Sequence, residues 1–140
     1  MHPPVAQVLD RRGVDVTGFQ SRPVDPAAVT AAALVLTATR RERAAVVGAV
    51  PAAGRRTFTL REFARLAARV APEWIPAGPA AVRLAALVAA APRARTTVPA
   101  PWGVDDDLAD PVQGTLTDVW ACADEIERCL EQIWTVIATP

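Results

Sequence analysis

The sequence predicts an α/β fold in which each of two short strands leads into a helix. Two short apolar runs, LVLTAT (34 to 39) and RTFTL (56 to 60), each lead directly into a segment with helical spacing of its apolar residues. A long amphipathic helix closes the chain, and we expect it to pack along a sheet.

The first elements are a helix, an ordered loop and a helical turn. PPVAQVLDRRG (3 to 13) begins with prolines, which suit a helix start, and ends at Gly13, which suits a helix C-cap. The following segment, 14 to 26, contains Gly18, Pro23 and Pro26 and therefore predicts a loop. One turn of helix is expected over 26 to 33.

Two strand-helix units come next. LVLTAT feeds the charged helical segment RRERAAVVGAV (40 to 50), and RTFTL feeds REFARLAARV (61 to 70), whose apolar residues share one helical face. Residues 71 to 101 are rich in Pro and Ala, and we interpret them as an insertion that contains a helix over 79 to 91.

The C-terminal segment is a loop followed by the strongest periodic pattern in the chain. DDDLADPVQG (105 to 114) predicts a loop, because three consecutive like charges and an Asp-Pro step both oppose regular structure. From Thr115 to Ile137 the apolar residues recur every three or four positions, which predicts one amphipathic helix. We expect residues 1 to 140 to form a single domain.

The composition is typical of a globular protein. The 140 residues are 51% hydrophobic and 21% charged, far from the composition of disordered chains. The longest apolar runs are much shorter than the roughly 20 residues that a membrane helix needs. The N-terminal sequence lacks the basic and apolar regions of a secretory signal. We therefore expect a cytoplasmic protein that does not bind membranes.

A net charge of zero hides two oppositely charged segments. Residues 1 to 95 carry 14 arginines and six acidic residues, whereas residues 96 to 140 carry one arginine and nine acidic residues. The two charges would compensate each other if one segment packs on the other. The basic residues are scattered and few aromatic residues lie among them, so we predict no nucleic-acid binding.

The stretch CADEIERC (122 to 129) has the Cys-x5-Arg spacing of a phosphatase's phosphate-binding loop, from Cys122 to Arg128. Such a loop needs backbone N–H groups that turn inward around the phosphate. In this helical segment those groups would be bonded along the helix, and neighbouring carboxylates would repel a phosphate and raise the thiol pKa. We therefore interpret the spacing as accidental.

Cys122 and Cys129 are interpreted as reduced thiols. They lie about 10.5 Å apart along the helix axis, beyond the reach of a disulfide. With a single histidine and no paired-cysteine motif, no metal site is predicted.

Apart from this stretch, the order of the segments resembles the bacterial low-molecular-weight protein tyrosine phosphatases, from just after their catalytic loop to the end. Residues 1 to 47 look like the family's helix, its pattern ending in Ser21 and Arg22, and a strand-helix unit. RTFTLREFARLA is similar to the next unit, and DDDLADPVQG with the final helix is similar to the closing segment. The resemblance implies a three-layer phosphotyrosine phosphatase I-like fold with a short parallel sheet, here missing its N-terminal strands.

The resemblance also implies the role of one residue. The Asp of the family's Asp-Pro step is the general acid, and Asp110 is the residue that matches it. It would protonate a leaving phenolate, whose pKa near 10 otherwise makes it a poor leaving group. The alternative is that Asp110 only forms the turn before Pro111. Val112 and Gln113 stand where many members carry tyrosines that border the substrate pocket, so substrate preference does not transfer. No metal or organic cofactor is implied.

The family's nucleophile lies in a Cys-x5-Arg-Ser loop, which this chain lacks. We expect the chain to start downstream of that loop, through a late start codon or a misplaced gene start, and to be inactive as given. The complete form would hydrolyse a phosphotyrosine protein or a small phosphate ester through a cysteinyl-phosphate. The alternatives are a non-catalytic interaction protein on the same scaffold and a thiol-dependent arsenate reductase. Missing strands would leave an open sheet edge, from which we expect marginal stability or self-association.

Overall fold

The computed structural model describes residues 2 to 97 and 105 to 138. Over these residues the elements, in chain order, are α1 (Pro3–Arg11), α2 (Pro26–Ala31), β1 (Val35–Thr37), α3 (Arg40–Ala49), β2 (Thr57–Thr59), α4 (Leu60–Ala67), α5 (Ala80–Thr97) and α6 (Leu116–Ala138). Short 3-10 helices lie at Pro51–Arg56 and Pro72–Trp74. None of the described helices is long and apolar enough to cross a membrane.

A parallel β-α-β unit forms the centre of the fold. β1 and β2 pair in parallel, with Val35 opposite Thr57, Leu36 opposite Phe58 and Thr37 opposite Thr59. The chain crosses between them through α3, which packs on both strands. The predicted α/β class with a short parallel sheet is therefore confirmed. The more specific phosphatase-like fold stays a prediction.

Local side-chain signals determine where the two helices after the strands begin. The Thr39 hydroxyl accepts a hydrogen bond from the Glu42 N–H at 3.2 Å, and the Glu42 carboxylate accepts one from the Thr39 N–H at 3.0 Å. This reciprocal capping box starts α3. The Thr59 hydroxyl caps α4 by accepting from the Glu62 N–H at 3.1 Å. Both helix N-termini consequently lie at the carboxyl edge of the sheet.

Buried side chains form two clusters on opposite faces of the sheet. The larger cluster contains Phe58, packs between the sheet and helices α4, α5 and α6, and includes Phe63, Leu66, Leu87, Leu108, Cys129, Ile133 and Ile137. The smaller one consists of Val29, Val46 and Ala53, with Val35 packed against it. Val35 and Leu36 are consecutive in β1, and Leu36 is the register partner of Phe58, so the two clusters face opposite sides. Helices therefore cover both faces.

Two expectations about the helices were wrong. α5 does not stop at residue 91 but continues through Pro92 to Thr97. Pro92 removes one helical hydrogen bond, but Ala91 and Ala94 on either side of it are buried in the larger cluster and keep the helix against the core. α6 packs chiefly on α4, with further contacts to α5 and α1, rather than along the sheet. Residues 98 to 101 of the predicted insertion lie outside the described residues.

The expected compensation between the basic and acidic segments is confirmed. Four arginines of the basic segment pair with carboxylates of the acidic segment: Arg12 with Asp124 and Glu127, Arg40 with Asp105 and Asp107, Arg61 with Glu125, and Arg65 with Asp106. The acidic C-terminal segment thus packs on the rest of the chain.

The covering of the sheet is uneven across its two strands. Phe58 is fully buried, but its register partner Leu36, on the same face of β1, is 37% exposed. The rings of Phe58 and Phe63 lie 5.0 Å apart, and the guanidinium carbon of Arg95 lies 4.7 Å from the Phe58 ring centroid. On this face of the sheet, side chains therefore pack more closely on β2 than on β1, whose Leu36 is partly exposed to water.

Phe58→Ala is expected to lower the free energy of unfolding by about 3–5 kcal/mol, because it leaves a cavity in the larger cluster. Leu36→Ala, at the matching position of β1, should cost about 1 kcal/mol or less, because water already reaches that side chain. Urea unfolding followed by circular dichroism measures both. Equal losses for the two variants would contradict the uneven covering.

Candidate functional site

The acidic loop, residues 105 to 110, lies at the carboxyl edge of the sheet. The Leu108 N–H donates to the Ala38 carbonyl oxygen at 2.9 Å, directly after β1 ends. The Leu108 side chain is buried in the larger cluster. Open α/β folds bind ligands beyond the carboxyl ends of their parallel strands. The acidic loop therefore occupies the part of this fold in which a site is expected.

Arg40, the first residue of α3, binds the acidic loop through both backbone and side chain. Its backbone N–H donates to Asp107 Oδ1 at 2.6 Å, and its guanidinium contacts Asp107 at 3.1 Å and Asp105 at 3.0 Å. The hydrogen bond from the Arg40 side chain, followed by the one from its backbone, lowers the pKa of Asp107. The same pairing raises the pKa of Arg40. Asp107 is thus held as a carboxylate at the N-terminus of α3, where the helix dipole also favours negative charge.

Arg61 and Arg65 of α4 hold the other side of the acidic loop. Arg61 Nη1 donates to the backbone carbonyl oxygen of Asp107 at 2.8 Å, while its Nε pairs with Glu125 of α6 at 3.0 Å. Arg65 Nη2 pairs with Asp106 at 2.8 Å, and these two side chains are only 21% and 14% exposed. The two arginines are one turn apart and so share a face of α4. The acidic loop is therefore attached to β1, α3 and α4 together.

Asp110, the predicted general acid, is exposed at the end of this attached segment. Its Oδ1 accepts a hydrogen bond from the Val112 N–H at 3.0 Å. Asp side chains often close a local turn in this way, by bonding the backbone N–H two residues further on. Asp110 therefore forms the turn that its Asp-Pro step predicts. Because Asp110 follows Leu108 by only two residues, the attachment of the loop also limits where its carboxylate can lie. Val112 and Gln113 are exposed next to it.

Cys122 and Cys129 both lie within α6 and are free thiols. Burial is the largest cause that raises the pKa of each thiol, and the charge of Glu125 adds to it in both cases. A raised pKa leaves less thiolate at neutral pH, which is the opposite of an activated nucleophile. The interpretation of CADEIERC as an accidental match to a phosphate-binding loop is consistent with this helical setting.

Ser21 and Arg22, the most distinctive pair in the family-like N-terminal pattern, lie far along the chain from the acidic loop. Both are exposed in the loop between α1 and α2, where they line an open cavity of about 820 Å³ with Phe19, Gln20, Pro23, Asp25 and Ala28. No residue of the acidic loop lines this cavity. Within the described residues, no group of His, Cys, Asp or Glu side chains is arranged to hold a metal ion.

The sequence reasoning missed the three arginines that hold the acidic loop. One signal was available: Arg40 opens the helix after β1, and Arg61 and Arg65 are spaced by one helical turn after β2. Residues at the starts of helices that follow parallel strands meet at the carboxyl edge of the sheet. Three arginines at this edge could therefore have been expected to pair with the run of three aspartates.

No protein-family model, curated protein or solved structure matches the chain. The resemblance to low-molecular-weight phosphatases consequently depends on the quoted motifs and on the order of the elements. The geometry of the acidic loop is the main structural observation that bears on function.

Asp107→Asn is expected to weaken the attachment of the acidic loop in a pH-dependent way. Because the native pKa of Asp107 is lowered, its contribution to stability is fully present above the ordinary Asp pKa of about 3.9 and is lost as the pH falls through the lower native value. The wild type should be more stable than the variant at neutral pH, and the two should converge below about pH 4.

Urea unfolding over a pH series measures this convergence. In an Arg40→Ala background the same substitution should have a smaller effect, because the hydrogen bond from the Arg40 side chain, the largest cause of the lowered pKa, is gone while the one from the backbone N–H remains. A stability difference that does not change with pH would show that Asp107 and Arg40 are not coupled in solution.

Proposed function

We propose that this chain is a low-molecular-weight protein-tyrosine-phosphatase-like protein in which Asp110 holds the position of the general acid. The supporting observation is the attachment of the acidic loop to the carboxyl end of β1, through the 2.9 Å hydrogen bond from Leu108 N–H to Ala38. Asp110 follows this anchor by two residues and is exposed to solvent. A substrate bound beyond the carboxyl ends of the strands would meet its carboxyl group.

The proposed chemistry has two steps in the complete family form. A cysteine thiolate attacks phosphorus, the S–P bond forms as the P–O bond to the phenolate breaks, and Asp110 gives its proton to the departing oxygen. Asp110 then takes a proton from the water that attacks the cysteinyl-phosphate, and the S–P bond breaks to release phosphate. The arginine contacts of Asp106 and Asp107 would restrict the acidic loop to the geometry that these proton transfers require.

The 140 residues are proposed to be inactive by themselves. Their two thiols, Cys122 and Cys129, lie in a helix and have raised pKa values, so neither has the properties of the family nucleophile. A thiol-dependent arsenate reductase would need the same absent loop, and no observation favours it over a phosphatase. A cytoplasmic location is part of this proposal.

A second candidate function is non-catalytic binding of another chain, through self-association or a distinct partner. The observation that favours it is the weak covering of β1, where Leu36 is 37% exposed while its register partner is fully buried. The loop between α1 and α2 also exposes Val14, Phe19 and Val24. In the described part of the chain the sheet has only two strands, so each has one edge without a strand partner, and such an edge is a template for pairing with a further strand. A stable complex that forms regardless of Asp110 would favour this function.

The test of the phosphatase proposal supplies the absent nucleophile. A strand with a Cys-x5-Arg-Ser loop from a bacterial low-molecular-weight phosphatase, fused before residue 2, should give hydrolysis of phenyl phosphate. Asp110→Asn in this chimera should lower kcat by about 10²–10⁴-fold. The loss should be smaller with p-nitrophenyl phosphate, whose more acidic leaving group depends less on a proton donor.

Asp105→Asn is the matched control, because it removes a carboxylate from the same loop and should leave most of the activity. The proposal fails if a folded chimera that binds phosphate loses equal activity through the two substitutions. Hydrolysis by the unfused chain that disappears in Cys122→Ser would contradict the proposed inactivity.

A further inference from the structure

Helix α1 is joined to the rest of the molecule by one packing surface and an exposed tether. It packs chiefly on α6. The tether, residues 13 to 25, contains no helix or strand, and Val16 is its only residue that is not exposed. Gly13, at a φ of 70°, ends the helix: its N–H bonds the Asp10 carbonyl at 2.9 Å, and the next N–H bonds the Leu9 carbonyl at 3.0 Å. α1 is therefore a helix with a defined end, and the exposed tether that follows it has no helix or strand of its own.

Val8 and Arg12 are the two contacts of α1 and its C-cap that bear most on its docking, beside the half-buried Val5 and Leu9. Val8 is fully buried, yet it belongs to neither of the two buried clusters described above. Arg12, the C-cap residue, pairs with Asp124 and Glu127 of α6, and its guanidinium carbon lies 4.6 Å from the ring centroid of Trp120. The Arg12 side chain is 15% exposed, whereas the two carboxylates are 62% and 51% exposed. Arg12 is thus the least exposed of these charged side chains and the one that contacts all three partners.

The three partners of Arg12 share one face of α6, because residues spaced by three and four positions are neighbours on a helix. A helix of nine residues is marginal in water by itself, so α1 is expected to lose its helical structure when it leaves α6. Proteins open locally in cooperative units whose free energies lie below that of global unfolding. The separation of Val8 from both clusters means that this opening need not disturb the core.

We propose that α1 is a detachable strap on α6, held closed by Arg12. The strap opens as a unit while the sheet and helices α3 to α6 stay folded. Opening uncovers the face of α6 that carries Trp120, Asp124 and Glu127. A tryptophan ring beside two carboxylates is complementary to an arginine carried on a helix, which is the chemistry that α1 itself provides. This inference is independent of the proposed phosphatase function.

Native-state hydrogen exchange of the 140-residue chain tests the strap. Backbone amides of α1 should exchange faster than those of α4, in which five of the eight residues are buried. Arg12→Ala should raise the exchange rates in α1 by about tenfold or more, because charge-assisted hydrogen bonds are lost, and should leave the rates in α4 unchanged. Arg11→Ala is the matched control, since Arg11 is exposed and forms no ion pair within the described residues.

Three results would overturn the proposal. Exchange of α1 and α4 at one common rate would show that α1 opens only with the whole fold. An effect of Arg12→Ala no larger than that of Arg11→Ala would show that Arg12 does not hold the strap. Equal acceleration of α1 and α4 by Arg12→Ala would show that the contact belongs to the global folding unit.

Discussion

The attachment of the acidic loop to the carboxyl edge of the sheet is the constraint on which the rest of the structure depends. Leu108 bonds the end of β1, and three arginines from α3 and α4 bind the three preceding aspartates. The chain enters α6 only a few residues later, so this attachment sets where α6 begins. α6 then delivers Ile133 and Ile137 to the larger cluster. The same contact neutralises much of the charge that divides the sequence into a basic and an acidic segment.

Apolar burial and ion pairing contribute differently to this attachment. Exposed ion pairs such as that of Arg40 with Asp105 contribute about 0–1 kcal/mol each. Burial of a leucine side chain such as Leu108 contributes about 1.5–3 kcal/mol. The stability of the attached state therefore comes mainly from Leu108 and the core, and the arginines determine the position of the loop. The less exposed pair of Arg65 and Asp106 is the one that solvent screens least.

Local signals in the sequence were sufficient to predict the elements but not how they pack. Gly13 ends the first helix, as predicted, whereas the capping box of Thr39 and Glu42 is an equally local signal that was recognised only in the structure. The continuation of α5 past Pro92 depends on burial of the flanking alanines, which is a tertiary effect. The exposed turn at Asp110 follows from its Asp-Pro step, whereas the pairing of Arg40 with Asp107 joins residues 67 positions apart. Composition alone cannot decide which of 15 arginines meets which carboxylate.

Hydrogen exchange of the single Leu108 amide tests this account most directly. If the acidic loop is attached in solution, this amide should be protected to about the same degree as the amides that join β1 to β2, because the loop and the two strands would then open as one unit. Exchange of Leu108 at the rate of an unstructured peptide, with the β1–β2 amides still protected, would contradict the account. Asp110 would then have no fixed position relative to the sheet, and the structural support for the proposed general-acid role would be lost.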